Sequence, residues 1–136
     1  MARILSIDYG IKRTGIAVTD PLQIIATGLV TVDTQRLMPF LRDYLAREQV
    51  EKVIIGDPRN LDDSDTHATP LVNKFVTAFE KIFPKIPIVR VDERFSSKMA
   101  KNAMLEMGLK KQQRRDKKLV DEIAATILLQ EYMQRS

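Results

Sequence analysis

The sequence predicts an α/β fold in which a mixed five-stranded sheet is flanked by helices, with the element order βββαβαβαα. Two strand-like segments separated by a short turn open the chain, which is typical of an antiparallel hairpin. Two later strand-like segments each follow an amphipathic helical segment, which is typical of parallel strands joined through helices. Because both patterns occur in one chain, the sheet is expected to contain antiparallel and parallel pairs.

Three strands are predicted in the first quarter of the chain. Residues 3–8 alternate between aliphatic and other side chains. A turn containing Gly10 leads to a second strand over residues 14–19, and the short connection makes the two an antiparallel hairpin. A third strand follows over residues 24–32, with a kink expected near Gly28.

A helix and a buried strand come next. Residues 37–45 carry apolar side chains at helical spacing, with Pro39 in the first turn, where its missing N–H does no harm. Residues 52–56 are nearly all apolar, as in a strand buried on both faces. We expect this strand to lie parallel to the first one. Sites in such sheets lie at the carboxyl ends of the strands.

The second half of the chain supplies the remaining elements. Thr69 is expected to cap a helix that has Pro70 at its first position and that ends at Pro84. The last elements are a strand over residues 86–91, a helix that Ser96 or Ser97 caps and Gly108 ends, and a helix over residues 117–133.

The composition bounds the class of protein. A chain of 136 residues fits one domain, expected to span residues 1–136, and is long enough for a hydrophobic core. The absence of cysteine excludes a disulfide framework, a thiolate zinc site and a cysteine nucleophile. No segment approaches the roughly 20 apolar residues of a membrane helix, so we expect a cytoplasmic protein. The net charge of +4 suggests a polyanionic partner.

Carboxylates follow the predicted strands at one edge of the sheet. Asp8 closes the first strand, and Asp92 and Glu93 close the fifth. Asp121 lies in the first turns of the last helix and shares a helix face with two alanines, which would let this helix approach the sheet closely. Each acidic residue alone also fits a turn or a helix end. Their convergence at one edge favours a common site.

A site of this kind suits a hard divalent cation. Clustered carboxylates without cysteine or a supply of histidines favour Mg²⁺ or Mn²⁺. Such ions hold a phosphodiester, activate a water and stabilise the leaving oxygen. The cation also offsets the repulsion among the crowded carboxylates.

Four segments together resemble one protein family. The run over residues 7–20, IDYGIKRTGIAVTD, is similar to the opening motif of the YqgF family, a Holliday-junction-resolvase-like branch of the ribonuclease H-like superfamily. Further segments match that family in the same order: residues 53–58 (VIIGDP), residues 92–97 (DERFSS), and residues 118–125 (KLVDEIAA) with residues 127–130 (ILLQ). The resemblance covers essentially the whole chain.

The resemblance implies both a fold and a function. It implies a ribonuclease H-like fold and a nuclease that trims the 5′ end of the precursor of 16S ribosomal RNA. It further implies that Asp8, Glu93 and Asp121 form the acidic site and hold the metal ion. Junction-resolving activity on DNA is associated with the same family.

The chain departs from the family pattern near the end of the fourth strand. Gly56, Asp57 and Pro58 stand where the family commonly has Gly-Leu-Pro, and the acidic run over residues 61–65 stands where a glycine is usual. The predicted metal ligands are unchanged. The added negative charge would repel a phosphate backbone unless a cation intervenes.

Basic residues flank the predicted acidic site. A basic segment immediately precedes the Asp121 helix, where it could hold phosphates while the acidic site cuts. The candidate substrate-binding residues are Lys12, Arg13, Arg94, Lys110, Lys111, Arg114 and Arg115. Arg94 could instead pair with a neighbouring carboxylate. The single histidine, His67, lies in a polar loop, where a surface role is the better interpretation.

Several functions remain open at this point. Precursor ribosomal RNA is the favoured substrate, and a four-way DNA junction is the alternative. A resolvase should act as a dimer, and for this chain we expect a monomer or a weak homodimer. A catalytically silent RNA-binding assembly factor is another possibility. The hairpin around Asp8 also resembles the phosphate loop of actin-like ATPases, although one domain supplies half of their cleft.

Overall fold

The computed structural model describes residues 2–57, 68–92, 102, 105, 106, 108 and 116–135. Its strands are β1 (Arg3–Asp8), β2 (Arg13–Thr19), β3 (Ala26–Asp33), β4 (Val50–Asp57) and β5 (Ile88–Asp92). Its helices are α1 (Leu37–Arg47), α2 (Thr69–Ile82) and α3 (Lys117–Arg135), with a 3-10 turn at Thr34–Arg36 before α1. The predicted order of strands and of these helices is confirmed.

All five strands form one mixed sheet in the order β3-β2-β1-β4-β5. β1 pairs antiparallel with β2 and parallel with β4, and β4 pairs parallel with β5. The predicted hairpin and the predicted parallel pair at the centre of the sheet are both confirmed. The carboxyl ends of β1, β4 and β5 therefore lie at one edge of the sheet.

The two faces of the sheet are covered by different helices. One face packs against α1 and α2 through a large apolar cluster that includes Leu5, Ile7 and Phe79. The other face packs against α3 through a smaller cluster that includes Ile4 and Leu128. This division follows from alternation along β1, because successive side chains of a strand point to opposite faces.

Small residues bring α3 close to the sheet. Ala124 and Ala125 are fully buried, as expected from their place in the helix. The hydroxyl of Ser6 in β1 donates a buried hydrogen bond of 2.7 Å to the carbonyl oxygen of Ala125. A Cβ atom at Gly15 in β2 would overlap the carbonyl group of Asp121 in α3. The helix and the sheet thus touch backbone to backbone at this point.

The start of β3 differs from the prediction. The strand was expected from residue 24 but begins at Ala26, because the Asp20 carboxylate accepts hydrogen bonds from the backbone N–H groups of Leu22, Ile24 and Ile25 and holds a turn there. The predicted kink near Gly28 is confirmed. The register shifts between Ile16, paired with Val30, and Ala17, paired with Gly28, so Leu29 bulges from the edge strand.

The ends of the helices include one wrong prediction, at the start of α2, and one cap that was not predicted, at the start of α3. Ala68 is the N-cap of α2, so Thr69 is the first helical residue instead of the cap, and its side chain is buried. Asp116 caps α3, since its carboxylate accepts hydrogen bonds from the backbone N–H groups of Lys118 and Leu119. Gly108 has a φ of +71°, as in a glycine that ends a helix, while most of the helix predicted before it, from Ser96 or Ser97, lies outside the described residues. No helix among the described residues combines the length and the apolar character needed to cross a membrane.

Candidate active site

Asp8 lies at the carboxyl end of β1, on the face of the sheet that α3 covers. It is the last residue of the strand, and its Cα partner in β2 is Gly15. Alternation along β1 places Asp8 on the same face as Ile4 and Ser6, which both contact α3. The neighbouring backbone at Gly15 touches Asp121. Asp8 and Asp121 therefore lie at the same edge and on the same face of the sheet.

Asp121 projects from the first turns of α3 and forms an ion pair. The Nε of Arg13 donates a hydrogen bond of 3.2 Å to the Oδ2 of Asp121. Both side chains are partly buried, with 29% of the Arg13 side chain and 26% of the Asp121 side chain exposed. Arg13 was predicted to bind substrate, and its contact with Asp121 was missed. No local sequence pattern predicts an ion pair between two residues that lie 108 positions apart.

Burial and the ion pair act on Asp121 in opposite directions. Desolvation raises the pKa of the Asp121 carboxyl above 3.8, while the hydrogen bond and the charge of Arg13 lower it. The desolvation effect is the larger, and the net pKa is raised. The Asp121 carboxylate is thus partly removed from water, and a nearby positive charge stabilises its ionised form.

The turn between β1 and β2 is held by two threonines. The hydroxyl of Thr34 donates a hydrogen bond of 2.7 Å to the carbonyl oxygen of Gly10 and lies 2.9 Å from the hydroxyl of Thr14. A Cβ atom at position 10 would overlap the carbonyl oxygen of Arg13, so the turn requires glycine there. The backbone N–H of Thr34 also donates to the carbonyl oxygen of Lys12. These contacts fix the backbone that carries Lys12 and Arg13, and the Lys12 residue is exposed.

The ends of β4 and β5 carry a second ion pair. The Nη1 of Arg90 lies 3.6 Å from the Oδ1 of Asp57. Asp57 pairs with Asp92 across the two strands, and Val91, the residue before Asp92, packs on the α3 face. Alternation therefore places Asp57, Asp92 and Arg90 on the face opposite to Asp8. Arg90 thus places a positive charge beside Asp57.

Several predicted site residues lie outside the described residues. These are Glu93, Arg94, Lys110, Lys111, Arg114 and Arg115. The acidic run over residues 61–65 and His67 lie outside them as well. Of the three predicted metal ligands, the structure thus places Asp8 and Asp121.

The donor chemistry of this edge fits a hard divalent cation. Asp8 and Asp121 offer carboxylate oxygens, which Mg²⁺ and Mn²⁺ prefer. Within the part of the chain that the structure describes, no group of three or more His, Cys, Asp or Glu side chains is placed to hold a metal ion. A third carboxylate follows β5 in the sequence, at Glu93.

The fold defines the structural class of the protein. Solved structures of RuvC from Thermus thermophilus match the chain over nearly its whole length. One of them, RuvC in complex with a Holliday junction substrate, has a TM-score of 0.52 and 21% sequence identity over 99% of this chain and 96% of that chain. A second has a TM-score of 0.50 and 19% identity, over 98% of this chain and 95% of that one. These matches confirm the ribonuclease H-like fold.

The chain belongs to the family described as RuvX: Holliday junction resolvase, whose model matches residues 2–135. A protein of Flavobacterium johnsoniae named "Putative pre-16S rRNA nuclease" is 56% identical over 98% of this chain and 96% of its own length. A protein of the same name from Porphyromonas gingivalis is 52% identical, again over 98% of this chain and 96% of its own. The resemblance predicted from the four motifs is confirmed.

Proposed function

We propose that the chain is a divalent-metal-dependent nuclease that hydrolyses phosphodiester bonds and processes the 5′ end of precursor 16S ribosomal RNA. The observation that carries the proposal is the location of Asp8 and Asp121 on one face, at one edge of the sheet. The names of the Flavobacterium and Porphyromonas relatives support the choice of RNA. The cytoplasmic location and a monomeric or weakly dimeric state are part of the same proposal.

In this proposal Asp8, Glu93 and Asp121 are the metal ligands and the catalytic residues. They come from the end of β1, the residue after β5 and the first turns of α3. A bound divalent cation supplies Lewis acidity for the attack of water and for the departure of the leaving oxygen. The carboxylates provide the negative charge that selects the cation, and β1 and α3 give Asp8 and Asp121 rigid backbones.

In the same proposal, basic residues hold the substrate backbone, and two of them lie beside the acidic edge, the sheet edge that carries Asp8 and Asp121. Lys12 and Arg13 lie in the turn and the strand beside Asp8, and Arg94 follows Glu93 in the sequence. A basic group precedes α3: Lys110, Lys111, Arg114 and Arg115. Contacts of this kind position a nucleic acid without reading its sequence, so they suit cleavage directed by RNA structure.

A four-way DNA junction is the second candidate substrate. The description of the family names a Holliday junction resolvase, and the acidic chemistry is the same for both substrates. A resolvase must cut two opposed strands, which requires a dimer. Stable dimerisation together with symmetrical junction cleavage would therefore favour this activity over RNA processing.

A side-by-side cleavage assay tests the proposal. Precursor 16S ribosomal RNA and a four-way DNA junction are each incubated with the native chain and Mn²⁺, and products are resolved by length. We expect cleavage of the RNA near its mature 5′ end and a loss of at least about a hundredfold in rate for Asp8→Asn, because a ligand carboxylate is removed.

The matched control is Asp43→Asn, an exposed acidic residue in α1 that pairs with Arg47. This variant removes one negative charge from a helix on the other face of the sheet and should cleave like the native chain. Unchanged cleavage by Asp8→Asn would contradict the proposed site. Tight RNA binding without turnover under any divalent cation would favour the non-catalytic assembly factor.

A further inference from the structure

The ion pair between Arg13 and Asp121 occupies one of the proposed metal ligands. The two residues lie 108 positions apart in the chain, yet the Arg13 Nε approaches the Asp121 Oδ2 to 3.2 Å. More than two thirds of each side chain is buried, so the pair is partly protected from solvent. The Arg13 guanidinium therefore binds the same carboxylate that the proposed metal ion would need as a ligand.

The backbone around Arg13 makes this contact a fixed feature of the fold. Arg13 is the first residue of β2 and pairs with Asp33 of β3. The Thr34 hydroxyl holds the carbonyl of Gly10, and Gly10 itself packs against the carbonyl of Arg13. Lys12, the adjacent basic residue, is exposed. The fold thus directs Arg13, and not its neighbour, to Asp121.

We infer that Arg13 is an internal counter-ion which a divalent cation displaces from Asp121, and that the displaced guanidinium then contacts a phosphate of the substrate. The inference rests on the proposed nuclease function. Arginine has five N–H donors and no acceptor, so it cannot join a cation as a ligand. Its positive charge also repels a cation that binds the same carboxylate. The planar guanidinium is suited to binding a phosphate once it has left Asp121.

This exchange couples the cation to the substrate. A cation that binds Asp121 releases Arg13, which makes phosphate binding easier. A phosphate that binds Arg13 frees Asp121, which makes cation binding easier. By thermodynamic linkage the two effects are equal in size. The acidic edge would then hold its cation weakly when no nucleic acid is present, and more tightly when the substrate is bound.

Titration calorimetry with Mn²⁺ tests the first half of the inference. The native chain, Arg13→Gln and the control Lys12→Gln are stripped with EDTA and titrated without nucleic acid. Arg13→Gln should bind Mn²⁺ about three- to tenfold more tightly than the native chain, because the competing charge is gone. Lys12→Gln removes one charge from the same turn without freeing Asp121, and should change the affinity by less than about twofold.

A double-substitution cycle with Asp121→Asn makes the test specific. In the Asp121→Asn background, Arg13→Gln should no longer increase Mn²⁺ affinity beyond the effect of Lys12→Gln, since the competed carboxylate is absent. If Asp121→Asn weakens Mn²⁺ binding but Arg13→Gln does not tighten it, the counter-ion inference is wrong and the proposed metal site stands. If Asp121→Asn leaves Mn²⁺ binding unchanged, both are wrong. Should Arg13→Gln fail to fold, Arg13→Met preserves the apolar stem and takes its place.

Fluorescence anisotropy with a labelled RNA oligonucleotide tests the second half. RNA affinity is measured in EDTA and in Ca²⁺ for the native chain and for Arg13→Gln. The native chain should gain at least about threefold in RNA affinity on addition of Ca²⁺, and Arg13→Gln should lose most of this gain. An equal gain in both proteins would overturn the role of Arg13 in phosphate binding.

Discussion

At the scale of single residues, the acidic edge consists of carboxylates whose surroundings differ. Asp8 ends a strand, whereas Asp121 is partly buried between α3 and the first residue of β2. Burial disfavours the ionised form of Asp121, and Arg13 offsets part of that effect. The ionisation of Asp121 therefore depends on its ion pair with Arg13, which in our inference a divalent cation replaces.

The raised pKa of Asp121 predicts how the stability of the metal-free protein depends on pH. Between 3.8 and the higher pKa of the folded state, the folded chain binds more protons at Asp121 than the unfolded chain does. This group therefore lowers the free energy of unfolding as the pH rises through that window, and has no effect below it. Relative to the native chain, Asp121→Asn should become progressively more stable as the pH rises. Urea unfolding in EDTA, from below pH 3.8 to neutrality, measures the difference.

Arg13→Met serves as the companion variant for this titration. Arg13 lowers the pKa of Asp121, so its removal should raise that pKa further and steepen the loss of stability with rising pH. A difference between Asp121→Asn and the native chain that moves in the opposite direction would show that the ion pair outweighs burial.

At the scale of elements, the contact between α3 and β2 determines where Asp121 lies. Gly15 has no side chain, and the Asp121 carbonyl group occupies the space that a Cβ atom would need. A second glycine, Gly28 in β3, faces the side chain of Glu122 in the same turn of the helix. The first contact involves rigid backbone, and the second involves the Cγ atom and the carboxylate of a flexible side chain.

This difference predicts unequal effects of two alanine substitutions. Gly15→Ala should lower the free energy of unfolding by about 1–3 kcal/mol, because the helix must move away from the strand. It should also reduce cleavage, since Asp121 moves with the helix. Gly28→Ala is the control and should cost less than half as much, because Glu122 can turn aside. Chemical denaturation of both variants gives the two values, and equal losses would contradict the proposed backbone contact.

Local sequence patterns were sufficient to predict the elements and the pairing of the central strands, but not the ion pairs between elements. The bounds of β1 were predicted correctly, because alternation and a closing aspartate define both ends of that strand. The face of α3 that carries Ala124 and Ala125 was also predicted correctly, because helical periodicity is a local property. The pairing of Arg13 with Asp121 and of Arg90 with Asp57 was missed, since such pairs depend on strand order and on side-chain conformation. The cap at Ala68 was missed because the preference for threonine as a cap is weaker than the packing that buries Thr69.

At the scale of the whole molecule, positive charge is concentrated before α3. Residues 110–118 contain six basic residues and one acidic residue, so this segment alone carries more net charge than the whole chain with its +4. The acidic residue, Asp116, caps α3. A basic segment of this kind, which precedes the helix carrying Asp121 in the sequence, is suited to binding a polyanion.

The salt dependence of RNA binding tests whether this basic segment contacts the phosphates of RNA. The combined variant K110Q/K111Q/R114Q/R115Q should reduce the slope of log affinity against log salt by about 2–3, since each phosphate contact on a single strand contributes about 0.7. The control K74Q/K81Q removes exposed lysines from α2, on the opposite side of the sheet, and should leave the slope nearly unchanged. Fluorescence anisotropy over a range of salt concentrations measures each slope. If the fourfold variant has the same slope as the native chain, this basic segment does not contact RNA.

The hydrogen bond from Ser6 to Ala125 has a consequence for the order in which the protein folds. It joins residues 119 positions apart, and the first and last described elements meet at the acidic edge. Contacts between distant parts of a chain slow folding, because a long loop must close before they form. During synthesis the sheet emerges before α3, with the face around Ile4 and Ala17 uncovered. In the proposed nuclease, Asp121 becomes available only with α3, so the nascent chain could cleave RNA only after that helix has been made.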